Sequence, residues 1–131
     1  MKFSIKLIKW PFTEMLERRF FQITASVSLA LIGLSFLLIY WQLFPEIRDQ
    51  IFIPLHYNIH FGVDSLGPWW RIYTIPVLGS IILLTNWFVS AYLWKREKVL
   101  SYFFMGAALM SEVTLFVALI FVILLNLSYY G

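Results

Sequence analysis

Two histidines four residues apart, His56 and His60, with Asp64 a further four along, have the spacing that places metal ligands on one face of a helix. In that conformation both imidazoles could share a zinc ion. The same stretch carries a second period. Leu55, Tyr57, Ile59, Phe61 and Val63 take the odd positions, and His56, Asn58, His60, Gly62 and Asp64 the even ones. Such alternation marks an extended segment with one apolar and one polar face. In a strand rising about 3.3 Å per residue the two imidazoles stand roughly 13 Å apart, beyond joint chelation. Pro54 could open a helix at its first position, but Tyr57, Ile59 and Gly62 disfavour continuing it. The expectation is no cofactor, with zinc on His56 and His60 as the alternative that a helix would permit.

Glu112 is the other residue of chemical interest. It lies within a long apolar run, about 21 Å of helical rise beyond Lys98. A carboxylate at that depth in lipid is costly unless protonated, paired or turned toward protein or water. Counting the same depth from Arg19 reaches Gly33, and from Lys95 it reaches Ser80 and Gly79. This coincidence suggests an intramembrane polar layer of Gly33, Gly79, Ser80, Asn86 and Glu112, with Ser35 and Ser111 nearby. Hydroxyls and amide would bond the carboxyl while the glycines let the helices close. The layer could be a structural lock, or it could pass protons or ions if subunits associate.

The elements that must position these residues are three apolar stretches, about 22–44, 72–94 and 99–127. Each exceeds the roughly 20 helical residues that cross a bilayer core. The fold expected is an all-α membrane protein of three transmembrane helices, in a single domain over 1–131. Composition agrees: 61% of residues are apolar and 13% charged, where a soluble domain carries about a quarter charged. The absence of cysteine removes disulfide and thiolate chemistry. With no nucleophile beside a base and orienter and no phosphate-binding glycine loop, an enzyme is not expected. The net charge of +3 belongs to residues flanking the spans, so nucleic acid is not expected as a partner either.

Five of the ten Lys and Arg residues precede the first span, two fall between the first and second, and three lie in the turn 95–98. That bias predicts a cytoplasmic N-terminus and turn, an outer loop over 45–71 and an extracytoplasmic C-terminus, in the cell (inner or cytoplasmic) membrane. The first span is longer than a signal-peptide core and reads as a retained anchor. Residues 1–12 set Phe3, Leu7 and Trp10 against Lys2, Lys6 and Lys9, the pattern of an interfacial amphipathic helix. Pro11 would interrupt it, and Thr13 would cap a new helix running into the first span. Pro76 should kink or loosen the first turns of the second span.

Leu43-Phe44-Pro45, then Ile53-Pro54-Leu55-His56-Tyr57-Asn58, Gly62-Val63-Asp64 and, after a gap, Arg71, Pro76 and Asn86 form a string that resembles domain-of-unknown-function family 1648. That domain stands at the N-terminal end of SdpI-type membrane proteins, some of which confer immunity to a secreted toxic peptide. The resemblance covers residues 25–90. It departs in having Arg71 where Lys is common and His60 where a small or polar residue is usual. It implies a membrane fold and a role for Pro54, His56, Asn58, Gly62 and Asp64. The function expected is non-enzymatic: an outer loop of Pro54, His56, Asn58, His60, Gly62, Asp64 and Arg71 that recognises a ligand, peptide or membrane protein, immunity-like or sensing. The alternative is a subunit of an oligomeric transporter using Glu112. The bilayer is the one partner common to both.

Overall fold

The computed structural model describes residues 11–130, so the expected amphipathic segment over residues 1–10 lies outside the described residues. Three helices are long and apolar enough to cross a membrane: Arg19–Ile47, Trp69–Leu93 and Lys98–Tyr130, of 29, 25 and 33 residues. The protein is thus built as a multi-pass membrane protein. It is mostly helical but not all-α, because the loop between the first two spans folds into a two-stranded antiparallel sheet.

The described residues begin with a short helix, α1 (Pro11–Leu16), which does not continue into the first span. Arg18 is extended, at φ −85° and ψ 129°, and Thr13 lies inside α1 rather than capping it. The break lets α1 fold back on the bundle. Met15 is fully buried with its sulfur 3.9 Å from Ser101 Oγ, and Phe12 packs on Trp87.

The first span is α2 (Arg19–Leu38), a π-helical turn (Ile39–Leu43) and α3 (Phe44–Ile47) in unbroken succession. Pro45 cannot donate to a carbonyl one turn back, and the turn before it is widened: Phe44 N–H bonds Ile39 O, five residues earlier. With the wider turn, Ile39, Leu43 and Ile47 all face inward. The second span starts as a 3-10 helix, Trp69–Tyr73, and becomes α4 (Thr74–Leu93). Pro76 is the third residue of α4, where a missing N–H is least costly, and it follows directly on the change from 3-10 to α-helix at Thr74. The turn Trp94–Glu97 leads into α5 (Lys98–Tyr130), so α4 and α5 are antiparallel neighbours.

Buried positions on α5 run Ser101, Met105, Ala108, Glu112, Leu119, Ile123 and Asn126, spacings of three, four and seven. That is the seam of a left-handed bundle. Two apolar cores result. One holds Phe21, Ala25, Ile32, Leu83, Trp94 and Met105; the other holds Ile39, Leu43, Ile47, Ile72, Leu119 and Ile123. Near the α4–α5 turn, Ser90 and Ser101 clasp the pair: their hydroxyls lie 2.7 Å apart, and each also reaches the other's backbone carbonyl, at 2.7 and 2.8 Å.

Candidate functional site

The loop expected over 45–71 is a β-hairpin, β1 (Ile53–Asn58) against β2 (Gly62–Gly67). Pairing runs from Ile53↔Gly67 to Asn58↔Gly62, with irregularities on both sides of His56 that leave Leu55 without a partner. The chain reverses at residues 59–61, so the alternation seen in the sequence belongs to two strands and a turn, not to one long strand. Asn58 Oδ1 accepts the His60 N–H at 2.9 Å, a side-chain mimic of a turn, and Gly62 takes the positive φ of +77° that completes the reversal. Asn58 and Gly62 therefore shape the loop.

Across the strands, His56 Nδ1 lies 2.6 Å from Asp64 Oδ1, the one ion-pairing contact within the hairpin among the described residues. Both side chains reach solvent. His60 sits on the turn with its ring beside Phe61. Among the described residues no three His, Cys, Asp or Glu side chains converge to hold a metal ion. Apolar side chains dominate the tip, where Ile59 and Phe61 are 83% and 84% exposed and Tyr57 is also uncovered. The greasy side of the loop is thus divided, with Leu55 packed against the bundle and Tyr57, Ile59 and Phe61 left uncovered by it.

The base of the hairpin is held by residues that sequence reasoning missed. Asn126, fully buried near the end of α5, donates through Nδ2 to Pro54 O at 2.7 Å and to Val122 O at 2.9 Å. Tyr130 Oη donates to Phe52 O at 2.8 Å. An amide in the last turns of an apolar span is the available signal, since such groups rarely lie idle in lipid. Arg71 lies beyond the strands, in the 3-10 turn. A Cβ on Gly67 would stand 2.5 Å from Leu55 Cδ1 and 3.1 Å from Arg71 Cδ, so the glycine makes room for both.

At the polar level, Glu112 is 3% exposed and lies between the two cores, its Oε2 only 2.5 Å from where a Gly79 Cβ would be. Its Oε1 is buried without a hydrogen-bond partner. The expected hydroxyl network around it is absent among the described residues. Ser35, Ser80, Ser111 and Asn86 each bond the carbonyl four residues back in their own helix, at 2.8 to 2.9 Å. Gly33 is exposed, with nothing within 4 Å of where a Cβ would stand, and does not bring helices together. Of the five residues expected in the layer, the structure joins Gly79 and Glu112.

Compared with protein-family models, with curated proteins and with solved structures, the chain matches none.

Proposed function

We propose that this protein is a non-enzymatic membrane protein that presents its β-hairpin, at the outer face, to a peptide or membrane-protein partner, in an immunity-like or sensing role. The observation that carries the reading is a hairpin fixed at its base and unsatisfied at its tip. Buried Asn126 and half-buried Tyr130 hold Pro54 and Phe52, while Tyr57, Ile59 and Phe61 stand uncovered beside the His56–Asp64 pair. A pre-ordered element loses little conformational entropy on binding, and exposed aromatics next to a hydrogen-bonded polar pair are typical anchor chemistry. The resemblance to family 1648 points the same way. A photo-reactive amino acid in place of Phe61 should yield a discrete adduct in native membranes that His56→Ala abolishes. An adduct pattern indifferent to His56 would remove the support.

Transport is the second reading, favoured by the unpartnered buried oxygen of Glu112. In reconstituted vesicles it requires that Glu112→Gln abolish a pH-driven flux while the bundle stays folded; unchanged flux leaves Glu112 as a lock.

A further inference from the structure

Two apolar tracks descend from the hairpin end of the bundle, one on each side of a ridge made by Leu55 and Val122. The first is a groove of about 730 Å³ between β1 and α5, with His56 and Tyr57 at its rim and Ala118, Phe121 and Leu125 along its wall. The second begins in a space of about 280 Å³ beside Arg71, Thr74 and Ile75. It continues through one of about 340 Å³ past Leu78, Ile81 and Leu115. Along α5, Ser128 to Ala118 covers about 15 Å of helical rise, and Arg71 to Ile81 covers about the same along the second span. Half of a hydrocarbon core about 30 Å thick is also about 15 Å.

The heads of the tracks are polar. Arg71 is exposed and makes no ion pair among the described residues, although a guanidinium is the side chain best shaped to grip a phosphate. On the other side of Leu55, His56 holds Asp64 through Nδ1 with its ring largely exposed. Trp69, Trp70, Tyr129 and Tyr130 lie at the same ends of the spans, the level at which aromatic rings meet lipid headgroups.

We propose that this end of the bundle holds one two-chain phospholipid, its phosphate on Arg71 beside His56 and one acyl chain in each track astride the Leu55–Val122 ridge. One cation, two apolar tracks and a length equal to one leaflet fit that molecule. A single-chain amphiphile would leave one track empty, and a lipid without phosphate would leave Arg71 unanswered. The site lies below the hairpin tip and shares His56 and Tyr57 with the surface proposed there, while Arg71, Ala118 and the two tracks belong to it alone.

The test is native mass spectrometry of the full-length protein in mild detergent, titrated with a diacyl phosphatidylglycerol, its single-chain lyso form, and diacylglycerol. One phosphatidylglycerol should be retained per chain, at least about 10-fold more tightly than either comparison lipid. Arg71→Gln should weaken it about 10-fold, in the range of a lost charge-assisted hydrogen bond. Ala118→Trp, at an exposed position, should block one track and weaken it similarly while leaving the melting temperature unchanged. Equal retention of all three lipids, retention indifferent to both substitutions, or saturation of the groove by a second copy of the chain would overturn the assignment.

Discussion

Replacing Asn126 with leucine tests whether the hairpin is held from below. The amide is fully buried and gives one proton to Pro54 O at 2.7 Å, so its loss leaves a buried carbonyl without that donor, a cost of about 1–3 kcal/mol. Part of this is offset. Asn126 Oδ1 is itself buried without a partner, and leucine removes that penalty, returning on the order of 1 kcal/mol. Leucine has similar bulk, so cavity terms are small. The remainder, up to about 2 kcal/mol, falls on hairpin docking and corresponds to as much as about a 30-fold rise in local opening. Hydrogen exchange in nanodiscs reads this directly: amides of Ile53–Asn58 should exchange faster by that factor while those in the middle of α4 and α5 keep their protection. Unchanged exchange in β1 would show that the latch contributes nothing. A uniform rise through all three spans would show that Asn126 supports the bundle instead of the hairpin.

Gly79→Ala should destabilise the bundle by about 1–3 kcal/mol, because the new methyl stands 2.5 Å from Glu112 Oε2 in a closed seam. Adding Glu112→Ala should recover most of that loss, and additive effects in thermal unfolding would rule the contact out. Gly62→Ala places a methyl in open space but forces a left-handed backbone on an L-residue; hairpin exchange should quicken by the equivalent of about 1–2 kcal/mol, and Gly62→Asn should cost less. With His56 engaged by Asp64 and His60 carried by the turn, excess zinc should give no His60-dependent rise in melting temperature; such a rise would restore the metal reading.

Length and hydropathy make the three spans legible, because a bilayer sets a minimum that few soluble helices meet. Their ends are less so. Pro45 stands inside the first span, which the widened turn before it carries on to Ile47, and the second span begins as a 3-10 helix at Trp69. Depth along a helix also reads well, since rise per residue is fixed: counting from the basic flanks puts Gly79 opposite Glu112, where the structure has it. Rotation does not follow from depth. Gly33 shares that level but sits about 100° around from buried Ile32, and so faces away. Serines at one depth suggest bonds between helices, but in α2, α4 and α5 a carbonyl of their own helix is closer than any neighbour. In the loop, alternation identifies extended backbone, but a period of two cannot say where the strand reverses. Asn58 and Gly62 carry that information as turn chemistry, a role that their place among polar, ligand-like neighbours conceals. Asn126 stands out in the sequence as an amide in an apolar run, but its partner is a backbone carbonyl 72 positions away, which no local pattern encodes.

The Ser90–Ser101 clasp bears on how the protein enters its membrane. Each hydroxyl is already matched to the opposite main chain across a short turn, so at that end the last two helices are joined by a polar contact that needs no water. Such a pair can leave an insertion machinery as one object, shedding no hydration cost twice, and wait in the bilayer as a preassembled wall. The first span would then arrive as the closing stave, bringing Phe21 against Trp94 and Tyr102.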